Sequence, residues 1–162
     1  SKMQKFTLPV KVDACIFTGR TSSYLKTNND VKKTFDSIKE NLEAGGIVVF
    51  DIINAPLFIK KITGKRKIIH EAKYKGKHYF RESHWIYNPM QLWSFDWISV
   101  YYEKLKGGKK KKLFDENSTL RSFSKDDIQL FLELSGFKVL KIMPKASYAF
   151  DTLVFIAQKI QA

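Results

Sequence analysis

The stretch EAGGIVVFDII, residues 43–53, decides the fold. The adjacent Gly45 and Gly46 supply the positive φ that ends a helix. The run from Ile47 to Ile53 is apolar on both alternating faces, the pattern of a strand covered on both sides, as in parallel sheets. Asp51 interrupts it near its end. A helix thus hands over to a buried strand of an α/β protein, and such sheets bind ligands beyond the carboxyl ends of their strands.

The chain before this stretch supplies the helix and a first strand. Val31, Phe35, Ile38 and Leu42 recur at helical spacing, with Lys32, Lys33, Asp36, Lys39 and Glu40 on the other faces. Asn28 or Asn29 can cap the helix, and Asp30 suits its first turn. VDACIFT, 12–18, reads as a short buried strand, with Cys15 as a core thiol. Strand, helix and strand with a short exit form a βαβ unit, whose crossover should be right-handed.

The chain after it changes character. NAPLFIKKITG, 54–64, predicts a short helix ended by Gly64. Residues 66–123 predict an antiparallel insert. It has a Lys75–Gly76 turn, a break at Asn88–Pro89, Trp93, Phe95 and Trp97 in alternation, and a last arm from Lys112 to Phe123. GGKKKKLF, 107–114, reads as a hairpin tip in water. A helix returns at SKDDIQLFLELSGF, with the capping pair Ser124 and Asp127, the shared face Ile128, Phe131, Leu132 and Ser135, and Gly136 as its stop. Strands at 138–145 and 151–159 close the chain. No repeat or linker divides it, so residues 1–162 read as a single domain carrying the 66–123 insert.

Composition narrows the function classes. A hydrophobic fraction of 44% in 162 residues supports a globular core rather than a disordered tail. One cysteine excludes an internal disulfide framework and any multi-cysteine metal site, and no metal site is expected. No apolar run reaches membrane-span length and none marks a signal peptide, so a soluble, cytoplasmic protein without a membrane partner is expected. The net charge of +13 attracts phosphate, acidic proteins or anionic membranes without choosing among them. It comes mostly from scattered lysines, which are point charges without the arginine fork that reads a base.

The order of parts resembles the later portion of a class I S-adenosylmethionine-dependent methyltransferase, small-molecule branch, near the glycine and sugar N-methyltransferases. The resemblance rests on VDACIFTGRTSSYL at 12–25, LEAGGIVVFD at 42–51 and LRSFSKDDIQLFLELSGF at 120–137, in that order and spacing. SKMQKFTLP resembles the loop that enters the adenine pocket, with Ser1 and Lys2 where glycine and aspartate are expected. Family sheets run 3-2-1-4-5-7-6, so the resemblance implies a partial Rossmann-like fold of the 4-5-7-6 side. The strands carrying the Gly-rich cofactor turn are not in this sequence. The expectation is a fragment that neither binds S-adenosylmethionine tightly nor acts by itself, and that self-associates through an open strand 12–18.

The resemblance also implies site residues. Phe17, Thr18, Gly19 and Arg20 would lie along the methionine and sulfonium part of the cofactor, unless they form an ordinary strand-to-helix loop. Asp51 and Asn54 would face the acceptor, unless they cap the next helix. His84 in HYFRESHW would take the proton of an attacking amine, or lie on a wet sheet face as His70 and His78 are expected to. Trp97 and Tyr101 would wall the acceptor pocket, or pack the sheet. Arg121 would bind an acceptor carboxylate, or pair with Asp126 or Asp127. Methyl transfer to a small molecule is the leading function. A basic, aromatic-rich sheet that stacks single-stranded RNA, or a non-catalytic interaction module, is the alternative.

Overall fold

The computed structural model describes residues 2–62, 67–88, 90–91, 93–146 and 150–160. Ser1, Gly64 and Pro89, which enter the expectations above, lie outside the described residues. The chain divides into two compact units, one formed by Ser1–Phe58 with Arg121–Ala162 and the other by Ile59–Leu120.

The first unit holds β1 (Val12–Phe17), α1 (Asn28–Asn41), β2 (Leu42–Ile53), the start of α2 (Ala55–Ile62), α3 (Lys125–Leu134), β7 (Phe137–Lys145) and β8 (Thr152–Lys159). Its sheet has the order β1-β2-β8-β7. β1 and β2 are parallel, and β8 is antiparallel to both β2 and β7. This is the 4-5-7-6 order expected from the sequence. β2 is central, and Val48, Phe50, Ile52 and Ile53 are fully buried in it. The Phe50 ring stacks on Phe17 at 4.9 Å and on Phe155 at 5.4 Å, and tilts against Phe35 of α1 at 5.2 Å.

The helix boundaries differ from expectation. Thr27, not an asparagine, caps α1. Its hydroxyl accepts from the Asp30 N–H, while the Asp30 carboxylate accepts from the Thr27 N–H, a reciprocal box. That bonding holds the Asp30 carboxyl below the usual aspartate range, the Thr27 hydroxyl being the largest cause. At its other end α1 stops at Asn41, before the glycines. Lys159 Nζ donates to the Lys39 and Leu42 carbonyls at 2.8 and 2.6 Å, serving acceptors the helix end leaves open. Gly45 and Gly46 instead lie inside β2. The pairing jumps from Val12↔Leu42 to Ala14↔Ile47, a bulge in which Gly45 takes φ 74°. At Gly46, a Cβ would meet the Glu43 and Asp13 carbonyls at 3.0 and 3.2 Å. β1 is half-exposed rather than buried, and Ile16 is 69% exposed on this sheet edge. Cys15 is accordingly half-buried, and burial pushes its thiol up.

The second unit holds β3 (Ile68–Tyr74), β4 (Lys77–Asn88), β5 (Ser94–Lys104) and β6 (Lys110–Arg121), hydrogen-bonded in that order; the last residue of β6 belongs to the first unit. β3, β4 and β5 are antiparallel neighbours in unbroken register. Lys75 and Gly76 make the two-residue turn between β3 and β4 with φ 47° and 72°, the backbone of a type I′ hairpin. Lysine is strained there and asparagine is not. Lys75→Asn is therefore expected to stabilise the hairpin by about 1 kcal/mol, read as a rise in the urea midpoint.

Two details of the insert correct the sequence expectation. Trp93 lies before β5, not in it, with φ 58°. Lys110, Lys111 and Lys112 lie in β6, and the tip is the 3₁₀ turn Lys106–Gly108, closed by the Leu105 N–H donating to the Lys109 carbonyl at 2.8 Å. Among the described residues no helix is long and apolar enough to cross a membrane.

Candidate functional site

In the first unit the carboxyl ends of β1 and β2 meet. Gly19 and Arg20 are both left-handed, with φ 76° and 65°. Gly19 is suited to this conformation. Arg20 is held in it by two bonds to one residue of β2: its own N–H donates to Asp51 Oδ1 at 2.7 Å, and the Ser22 hydroxyl donates to the Asp51 carbonyl at 2.6 Å. The Thr21 hydroxyl closes the turn on the Thr18 carbonyl at 2.7 Å. The Arg20 guanidinium lies 4.8 Å from the Phe150 ring centre.

The structure brings Phe17, Thr18, Gly19, Arg20 and Asp51 together, and it gives Asp51 a bracing contact. Its carboxylate is 6% exposed and accepts the Arg20 N–H, so it braces the loop; it neither faces open solvent nor caps α2. Asn54 occupies the cap position, since its carbonyl accepts the first bond of α2 from the Phe58 N–H at 2.9 Å. Its N–H donates to the Asp151 carbonyl at 2.9 Å. Arg121 also takes the structural role. It is 3% exposed, donates to Asn28 Oδ1 at 2.8 Å and lies over the Phe123 ring at 4.5 Å. Burial lowers its pKa, while Asp127 and Asp30 raise it, so both helix caps sense its charge. It forms no ion pair with Asp126, whose described partner is Lys125.

In the second unit, alternation sorts the residues onto two faces. One face carries His70, Arg81 and Tyr101 in one row, Ser83 and Ser99 in the next, then Trp85 and Trp97. The serine hydroxyls are hydrogen-bonded at 2.8 Å. The other face carries Glu82 and Val100, then His84 and Ile98. Tyr101 and Trp97 thus share a face, and His84 lies on the opposite one, exposed. The three do not form a single constellation. On the His84 face, Glu82 holds Lys110 and Lys67, and both lysines keep its carboxyl below the usual glutamate range, Lys110 most.

The Tyr101 face carries an open cavity of about 570 Å³. Ala72, Tyr79, Tyr101 and Phe114 give it an apolar lining, and the Tyr101 and Phe114 rings stack at 4.2 Å. Arg81 and His70 bring polarity to it. The Arg81 guanidinium lies 5.5 Å from the Trp97 ring centre and its Nη2 is 3.0 Å from His70 Nδ1. Arginine can only donate, so that ring nitrogen accepts and His70 is neutral with its proton on Nε2. Burial first, and the Arg81 charge second, hold His70 below the usual histidine range.

No model of a protein family matches the sequence, and no curated protein matches it. Solved structures do. A S-adenosylmethionine-dependent methyltransferase from Clostridium acetobutylicum superposes over 99% of this chain with a TM-score of 0.74 at 16% identity. A sugar N-methyltransferase from a Streptoalloteichus species does so over 99%, with 0.74 at 15%. An amino pentose methyltransferase from Micromonospora echinaspora, solved with its methyl donor bound, does so over 98%, with 0.74 at 14%.

The fold is that of the class I methyltransferases. This chain spans 63%, 61% and 63% of the lengths of those three structures, so the fold is a partial one. In this methyltransferase fold, β1, β2, β8 and β7 are the 4-5-7-6 strands. Sequence reasoning placed the loop at the end of β1 correctly but missed Ser22 and Phe150, which hold it. It carried no expectation for Arg81, and it expected His70 on a wet sheet face, where the structure has it half-buried against Arg81. The signal for Arg81 was present in the alternation Tyr79, Arg81, Ser83, Trp85, which puts it on the aromatic face.

Proposed function

We propose that this chain is the acceptor-side portion of an enzyme that methylates a small molecule from S-adenosylmethionine. The observation that carries this is the methyltransferase fold together with the left-handed Gly19–Arg20 turn braced on Asp51. A Cβ at Gly19 would meet nothing within 4 Å, so the backbone there is open to a close-lying ligand. The residues present therefore fit the edge of such a cofactor. When bound, S-adenosylmethionine supplies an electrophilic methyl group on a positive sulfur.

The chain's own work is positioning. Phe17, Thr18, Gly19 and Arg20 hold their backbone carbonyls in place at the end of β1, and Asp51 keeps that turn from relaxing. Trp97 and Tyr101 offer an aromatic surface that binds an acceptor and excludes water from it. A single in-line displacement needs no triad. Asn54 starts α2, and Arg121 donates to Asn28 at the start of α1, so both are read as supporting the site rather than touching the acceptor. His84, on the other face from Tyr101, is not assigned the base.

The RNA-stacking alternative draws less support. Lysines do flank aromatics on the His84 face, where Lys110 lies 4.6 Å from the Phe80 ring centre and 5.7 Å from that of Tyr102. Phe80 is 8% exposed, however, and base stacking needs an open ring.

The test is calorimetric titration with S-adenosylmethionine and S-adenosylhomocysteine. It compares this chain with the same chain preceded by the remaining N-terminal segment of the Clostridium structure. Binding by the chimera, and much weaker or no binding by the chain alone, is expected. A folded chimera that binds neither ligand would overturn the proposal.

A further inference from the structure

The two hairpin turns of the second unit lie at one end of its sheet. β4 begins at Lys77, just after the first turn, and its His78 pairs with Lys104, the last residue of β5 before the second turn. Neighbouring strands are about 4.8 Å apart, so the turns are about 10 Å apart, within about one Debye length, and their charges act as one patch. Lys73 and Lys75 flank or form the first turn, Lys104, Lys106, Lys109 and Lys111 the second, and all are exposed. The nearby carboxylates are engaged elsewhere. Glu71 accepts from His78 Nε2 at 2.9 Å, Glu103 holds Lys77 at 3.0 Å, and Asp115 holds Lys112 at 2.5 Å. Among the described residues none of the lysines assigned to the two turns pairs with a carboxylate, so this end of the sheet carries an uncompensated positive field.

An exposed apolar side chain stands beside each turn. Tyr74 is 63% exposed and Leu105 42%. From this juxtaposition we propose that the two turns dock the chain on an anionic lipid surface. The lysines meet the negative headgroups, while Tyr74 and Leu105 enter the boundary between headgroups and acyl chains. A peripheral contact of this kind needs no membrane-spanning helix. Nucleic acid fits the patch less well. Leucine cannot stack a base, and the Lys75 ammonium lies over the Tyr74 ring, 5.3 Å from its centre, on a face that a stacked base would need. The lysines also lack the fork with which arginine grips phosphate in two places. The surface lies wholly within the second unit and does not depend on methyl transfer.

The test is co-sedimentation of the full chain with vesicles of phosphatidylserine in phosphatidylcholine, beside vesicles of phosphatidylcholine alone. Binding to the anionic vesicles only is expected, and it should weaken as salt shortens the range of the lysine charges. Lys106→Glu with Lys109→Glu should weaken binding at least about tenfold. Lys138→Glu with Lys141→Glu makes the same charge change on exposed lysines of β7 and should weaken it much less. Tyr74→Ser with Leu105→Ser keeps the charge and should weaken binding about fivefold. All these side chains are exposed, and circular dichroism identifies the variants that fold. The proposal falls if the anionic vesicles are not bound, if the β7 variant loses as much as the turn variant, or if the Tyr74 and Leu105 substitutions change nothing. It falls also if a mixed-sequence single-stranded RNA binds the same lysines more tightly than the vesicles do.

Discussion

Phe50→Ala should come close to unfolding the first unit. Phe50 is fully buried at the centre of β2, and its ring touches Phe17 of β1, Phe35 of α1 and Phe155 of β8. Truncating such a ring removes its transfer free energy and leaves a cavity bounded by three elements that cannot all close on it. The cost is about 3–5 kcal/mol, against a domain stability of about 5–15 kcal/mol. Urea denaturation followed by far-ultraviolet circular dichroism is the measurement. Tryptophan fluorescence is unsuitable, because Trp85, Trp93 and Trp97 all lie in the second unit. Phe50→Leu keeps most of the volume and should lose much less. Equal losses from both substitutions would show that stacking, not filled volume, holds the three elements.

Asp51→Ala should have the second-largest effect, on both stability and ligand binding. It removes the acceptor for the part-buried Arg20 N–H and frees a non-glycine residue from a left-handed conformation. Losing a hydrogen bond to a charged group costs about 1.5–3 kcal/mol. Relaxation of Arg20 toward an ordinary backbone recovers part of that at the expense of the loop. The Arg20 amide should exchange with solvent much faster, and the chimera with the Clostridium segment should bind S-adenosylmethionine at least about tenfold more weakly. Asp51→Asn retains the acceptor oxygen and should lose less on both counts. If Asp51→Ala leaves amide exchange and binding unchanged, the brace contributes nothing to the site.

Much of the fold was legible because local patterns and tertiary demands agree. The two-sided apolar run 47–53 can only be a central strand. The reciprocal box of Ser124 and Asp127 starts α3, and Lys75–Gly76 can close only a tight hairpin. Where expectation failed, a local signal had a second use. Gly45 and Gly46 look like a helix stop but serve a bulge, where β2 must pass close to the Asp13 carbonyl. Thr27 outranks the asparagines as a cap because Asp30 lies three residues beyond it and can return the bond. Trp93 continues an alternation in sequence but not in space, since its left-handed backbone places it before the strand.

The candidate site divides in the same way. The sequence by itself determined that the turn after β1 follows a strand end and that the insert's arms alternate, because strand ends and alternation are local properties. Only the tertiary structure decided what each residue does there. Asp51 became a brace because the Arg20 N–H lies 2.7 Å away, across 31 residues of chain. Arg121 became a structural tie because its partner Asn28 is 93 residues distant. His84 was separated from Tyr101 because their strands pair in a register that sets them on opposite faces. Such roles follow from distances between residues far apart in the chain, which one-dimensional spacing does not contain.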